Sequence, residues 1–194
     1  MKKSDREPAE LKPGGMIWTV GHSTRSLDEF VETLRAFEIE LVVDIRSFPG
    51  SRRLPQFGSK DLEKGLAENG IGYKWLPSLG GRRKVLADSV NGAWTHPAFR
   101  GYADHTATEE FAEGLEELLM LSGAMRTAIM CAEILWWRCH RRIVSDVLVS
   151  IGFAVVHIRD VSHSEVHKLS APARIIAGKL SYEPESVQTE LEIG

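Results

Sequence analysis

Short apolar runs alternate along this chain with stretches of helical periodicity. Gly15 to Gly21 (GMIWTVG) is brief and rich in β-formers, which predicts a first strand. Ser26 followed by Glu29 is a capping-box start, with Leu27, Phe30, Val31 and Leu34 at helical spacing behind it. Leu41 to Ile45 is almost wholly apolar, the pattern of a strand buried on both faces. Ser59 is placed as the cap of a helix running to about Glu68, closed by Asn69-Gly70. Ile71 to Leu76 predicts a third strand, and Thr108 starts a helix with Phe111, Leu115, Leu118 and Leu119 as its stripe. Thr127 to Cys131 is the fourth strand. One face of the next helix carries Trp136, His140, Ile143, Val144, Val147, Leu148 and Ile151, ending at Gly152, and Phe153 to Ile158 is the fifth strand.

Strand and helix alternate to the end, so the fold class is α/β: three layers, with helices on both faces of a mostly parallel sheet of about five strands. One domain is expected over 16–180, after a flexible leader at 1–15 and before a flexible tail at 181–194. Residues 77–107, containing Gly and Arg, form a stretch too long for a passive connection.

Composition adds little to the fold but sharpens the chemistry. Hydrophobic residues at 43% and charged residues at 26% are ordinary globular values. No apolar run reaches the length of a membrane span, and the start of the chain lacks the apolar core of an export signal, so no membrane partner and a cytoplasmic location are expected. Two cysteines without an export signal argue for reduced thiols. The net charge of −3 conceals segregation: windows 46–58, 77–107 and 134–142 hold ten of the 24 Lys and Arg but two of the 27 Asp and Glu. All three windows follow predicted strands, which suggests a basic ligand face on an acidic body; solvated arginine loops are the plain alternative.

Strand ends collect the reactive residue types. Gly21-His22-Ser23-Thr24 follows the first strand, Asp44 and Arg46 the second, Cys131 and Glu133 the fourth. In parallel α/β sheets ligands bind outside the carboxyl ends of strands, so these turns could line one crevice. Asp44 reads equally as a carboxylate pairing with Arg46 or capping a turn. Cys131 reads as a buried small hydrophobe, as a thiol activated by a helix start, His140 and arginines, or as a metal ligand with Cys139, His140 or His22. The spacing C-x7-C-H lacks the close cysteine pairing of structural zinc, so no metal is expected. His140 lies on the apolar stripe of its helix, which suits a core histidine as well as a catalytic one. Arg138, Arg141 and Arg142 beside a helix start suit an anion. The pairs Arg52/Arg53 and Arg82/Arg83, near Phe48, Phe57, Trp75 and Trp94, would add cations and stacking surfaces, or those rings are core. A Walker A sequence, G-x-G-x-x-G and a Cys-x5-Arg phosphate loop are all absent, and the cofactor is unknown.

The motifs TVGHSTRS at 19–26, DIRSFPGSRRLPQF at 44–57, WLPSLGGRR at 75–83, FRGYAD at 99–104 and CAEILWWRCHRR at 131–142 together resemble the domain of unknown function family numbered 488. HIRD at 157–160, the His163/His167 region and LSAPARI at 169–175 are similar too, so the resemblance runs from about Met16 to about Leu180. It implies a small cytoplasmic α/β protein with a parallel sheet and implies no reaction. By motif, the family's site residues fall here on His22, Ser23, Asp44, Arg46, Arg52, Arg53, Cys131, Glu133, Cys139, His140 and Arg141. Gly50 departs from the basic residue expected in that loop.

The expected function is an enzyme acting on an anionic partner, a phosphorylated metabolite, nucleotide or nucleic-acid end. Cys131, Glu133, Asp44, His22 and His140 are its catalytic candidates. Ser23, Arg46, Arg52, Arg53, Arg82, Arg83, Arg138, Cys139, Arg141 and Arg142 are its substrate-binding candidates. A non-catalytic nucleic-acid-binding module is the alternative, and a thiol redox or metal-binding protein is the second alternative.

Overall fold

The computed structural model describes residues 15–50 and 53–185. The expected leader apart from Gly15, Arg52, and the part of the expected tail from 186 onward lie outside the described residues.

Five parallel strands, β1 (Met16–Gly21), β2 (Leu41–Asp44), β3 (Gly72–Trp75), β4 (Thr127–Cys131) and β5 (Ala154–Ile158), build the sheet. A sixth, β6 (Ser164–Val166), adds antiparallel to β5, giving the order β3-β2-β4-β1-β5-β6. A separate hairpin joins β7 (Arg174–Ile176) and β8 (Lys179–Ser181). Successive strand residues point to opposite faces, and both faces here are apolar. Trp18, Val42 and Ala128 pack with Phe30 and Leu34 of α1 (Leu27–Ala36) and Leu62 and Leu66 of α2 (Ser59–Ala67). Their neighbours Ile17, Val43 and Ile129 face Tyr102 of α3 (Pro97–His105), Phe111 and Leu118 of α4 (Glu109–Ala124), and Ile143 and Leu148 of α5 (Arg141–Ser150). The three layers follow directly from that alternation.

Local signals act as expected at several boundaries. Ser26 Oγ accepts from Glu29 N at 3.2 Å while Glu29 Oε2 accepts from Ser26 N at 2.7 Å, the reciprocal capping box. Gly70 and Gly152 close α2 and α5 in the left-handed region, with φ of 74° and 93°. Other boundaries differ from expectation. Ser59 is the first helical residue, with Gly58 as a cap that supplies no side chain. The helix expected from Trp136 is broken: a 3-10 turn spans Trp136–Arg138, Cys139 turns extended at φ −127°, and α5 begins only at Arg141. The long stretch after β3 contains α3, started by Pro97 at its first position. The stretch expected as a tail opens on folded residues. Ser181 is paired in β8, and Tyr182 is 2% exposed with its hydroxyl donating to Asp146 Oδ2 at 2.8 Å.

Candidate functional site

The sheet order creates a crevice at one place. β4 lies between β1 and β2, whose connections leave for the face carrying α1 and α2, whereas the connection from β4 leaves for the face carrying α5. Loops that diverge to opposite faces leave a gap at the carboxyl edge. A cleft of about 1020 Å³ opens there, with walls from the turns after β1, β2 and β4, the Gly81-Arg82 loop and the start of α3. The ends of β1 and β4 are bound together by His22 N donating to Cys131 O at 3.1 Å and Ser23 N donating to Ala132 O at 2.9 Å. Gly21 permits this approach, since a Cβ there would lie 2.0 Å from Glu133 O. Ser23, which lines the cleft, is held at φ 50°, a conformation that costs a non-glycine residue roughly 1 kcal/mol.

A fixed guanidinium forms part of the wall. Arg46 is 7% exposed and Asp44 fully buried. Asp44 accepts from Arg46 Nε at 2.9 and 3.0 Å and from Nη2 at 2.5 Å, and also from the Tyr73 hydroxyl at 2.8 Å. Arg46 Nη2 donates to Phe57 O at 2.9 Å, and Nη1 to His22 Nε2 at 3.2 Å. His22 Nδ1 donates in turn to Ser23 O at 2.9 Å, which fixes its neutral tautomer. Burial, then the positive Arg46, lowers the His22 pKa to about 4, so it stays neutral at pH 7. Both of its ring nitrogens have partners, and its ring stacks on Phe57 at 4.1 Å. His22 therefore positions Arg46, and Asp44 anchors it; neither offers a free polar atom to the cleft as a base would. One N–H of Arg46 Nη1 is left over to face a ligand.

Beside it, bonded to the backbone next to Arg46, stands a sulfur and imidazole group. His140 Nε2 donates to Ile45 O at 3.0 Å, which leaves the Nδ1 lone pair toward two sulfurs, Cys139 Sγ at 3.5 Å and Cys131 Sγ at 4.0 Å. Both cysteines are free thiols. The thiol contact with Cys139, then burial, pushes Cys131 well up; burial opposes ionisation of Cys139 too, but its contact with Cys131 and the Arg141 charge hold it well down. Sequence spacing disfavoured a shared site for these residues. The 3-10 turn and the extended Cys139 fold the chain back, so Cys139 meets the end of β4 across seven intervening residues.

The arginines divide into two groups. Arg46, Arg82 and Arg138 line the cleft, the last two exposed, and Glu133 is the one carboxylate among the lining residues. The others turn elsewhere. Arg141 is 1% exposed and donates to the backbone carbonyls of Glu133 and Ile134, the latter at 3.3 Å, so it clamps the turn after β4 instead of meeting an anion. Arg142 lies over the Trp94 ring at 4.7 Å and donates to Ser170 Oγ at 2.8 Å. Arg83 pairs with Glu110 at 2.7 Å. Arg53 is exposed and outside the cleft lining, and Arg52 lies outside the described residues. Gly50 lines the rim, with no described residue against it. Of the aromatics, Phe57 and Trp94 are core, whereas Phe48, 70% exposed, stands on the rim with Trp137. Trp137, His96 and Ser47 also line the cleft, and sequence reasoning did not find them. The one available signal was His96-Pro97 as a helix start, where His96 Nδ1 accepts from Ala98 N at 3.2 Å.

Among the described residues no helix is long and apolar enough to cross a membrane. The family described as a domain of unknown function, DUF488, matches residues 26–148, more than half of the chain. No curated protein and no solved structure matches it.

Proposed function

Because the chain belongs to the DUF488 family, whose description assigns no reaction, we propose a function from its own cleft: an enzyme that binds a phosphate-bearing substrate at the carboxyl edge of the sheet. The observation that carries this reading is Arg46, a guanidinium locked by Asp44 and His22 with one donor left toward the cleft. A preorganised donor loses little freedom on binding, and charge-assisted hydrogen bonds to phosphate are the strong ones. Arg82 and Arg138 at the mouth add two cations against the single carboxylate of Glu133. The Cys131, Cys139 and His140 group supplies the reactive atoms, and Glu133 is placed to exchange protons at the rim. Titration calorimetry with pyrophosphate and adenine nucleotides tests the reading. Arg82→Ala with Arg138→Ala should weaken binding by about 10- to 100-fold for each guanidinium removed. Unchanged affinity in that double variant, or no anion bound at low salt, would refute it.

The exposed rings favour a second reading, a non-catalytic module for nucleic acid. Phe48 carries Arg82 at 5.4 Å from its centroid, and Trp137 is 39% exposed, surfaces on which bases stack. Binding that falls steeply with salt and is indifferent to Cys131→Ser, without turnover of any strand, would favour it.

A further inference from the structure

We propose that Cys131 Sγ, Cys139 Sγ and His140 Nδ1 form a three-ligand site for a soft divalent metal, zinc by its chemistry, with a fourth position open to the cleft. The three donor atoms lie within 4.8 Å of one another. Zinc bonds of about 2.3 Å to sulfur and 2.0–2.1 Å to nitrogen, arranged tetrahedrally, put sulfur and nitrogen about 3.5 Å apart and two sulfurs about 3.8 Å apart. The observed sulfur–nitrogen distances of 3.5 and 4.0 Å need a closure of only a few tenths of an ångström.

Two further features are those of a ligand set. His140 is anchored through Nε2 to Ile45 O, the outer-shell bond that fixes a metal-binding imidazole with its other nitrogen free. Gly81 lies against the face of that ring, where a Cβ would be 2.3 Å from Nδ1, so the backbone braces the imidazole from above. Two thiolates and an imidazole select zinc over magnesium or calcium. Three protein ligands and an open position distinguish a catalytic zinc site from a closed structural one. Cys131, Cys139 and His140 all line the cleft, so the fourth position takes water or the substrate's own oxygen. The metal site stands apart from the anion reading; only its part in turnover rests on it.

The test uses the full, reduced chain stripped with a chelator and titrated with Zn²⁺ or Co²⁺ alone. One equivalent should bind, with sulfur-to-cobalt charge-transfer bands and tetrahedral ligand-field bands, and should protect both thiols from alkylation. Cys131→Ser and Cys139→Ser should each lower affinity by more than the 10- to 100-fold that loss of an outer-shell partner costs. The cobalt spectrum of the unaltered chain reports the thiolate ligands even if a variant fails to fold. Failure to retain either ion with both thiols reduced, octahedral cobalt without charge transfer, or alkylation unaffected by zinc overturns the proposal. Pyrophosphate binding by the stripped protein is scored separately, so loss of one reading leaves the other standing.

Discussion

Asp44→Ala isolates the interaction on which the cleft wall depends. The carboxylate is fully buried and accepts from Arg46 Nε and Nη2, the shortest of these bonds at 2.5 Å, and from the Tyr73 hydroxyl. Its removal leaves a guanidinium that is 7% exposed without its counter-charge, and breaking one side of a buried pair costs about 3–5 kcal/mol. Tyr73 adds little, being only partly buried and able to reach water. At about 2–4 °C per kcal/mol for a domain of this size, Tm should fall by about 6–20 °C. Replacing both partners, Asp44→Ala with Arg46→Met, leaves no stranded charge, so the double variant should lose at least about 2 kcal/mol less than the sum of the singles. Urea unfolding followed by far-ultraviolet circular dichroism measures all four corners of the cycle. A cost below about 1 kcal/mol for Asp44→Ala, or strict additivity, would refute a wall held by this pair.

His157 is 1% exposed, and burial, then His167 and Arg141, lower its pKa to about 2. The folded state therefore binds fewer protons than the unfolded one between about pH 6.5 and 2, so stability is full above 6.5 and falls on acidification by up to about 1.4 kcal/mol per pH unit. Urea midpoints from pH 7 to 5 should show this slope, steepened by His22 whose pKa is lowered as well, and His157→Gln should reduce it without abolishing it; a flat profile in the unaltered protein is the contrary result. Gly81→Ala drives a methyl to 2.3 Å from His140 Nδ1 and should cost about 1–3 kcal/mol while weakening zinc retention, whereas unchanged unfolding and retention would show that the loop yields freely.

The sheet was legible because its central strands are buried on both faces, and apolar runs such as Leu41 to Val43 state this without ambiguity. β6, β7 and β8 were not, since each is three residues long with none of them buried, too short for any period to register. α3 was hidden in HPAFRGYADH, whose stripe rests on Tyr102 and Ala103. At the site, residue types placed at strand ends were readable, but partners were not. Arg83 finds Glu110 twenty-seven positions away, and Arg141 finds backbone carbonyls, neither of which a charge count reveals. The sulfur group was named from the sequence, but its metal reading was ranked lowest, for a related reason. Ligand spacing rules assume a compact loop, whereas here a strand end and a helix start supply the donors.

The division among the arginines explains how the Cys131, Cys139 and His140 group is held at this edge of the sheet. Arg141 clamps the turn carrying Glu133 and Ile134, and its Nη1 reaches Thr19 Oγ1 at 3.4 Å. Behind Thr19 runs a buried chain of hydrogen bonds: Thr19 to His157 at 2.8 Å, His157 to His167 at 2.9 Å, and His167 to Asp146 at 2.9 Å. Asp146 sits on the same helix as Arg141, so β1, β5 and α5 brace the end of β4 from behind, while Asp44 and Arg46 brace it from the side. The chain from Thr19 to Asp146 is paired at every link, and such buried networks rigidify what they connect, although Arg141 Nε at its edge has no hydrogen-bond partner. The inner wall of the cleft is therefore stiff, and its mouth, with Phe48, Arg82, Trp137 and Arg138 exposed, is the part free to adapt. It follows that substitutions of the inner wall alter folding and ligand binding together. Those at the mouth alter affinity or selectivity and leave stability within about 0.5 kcal/mol.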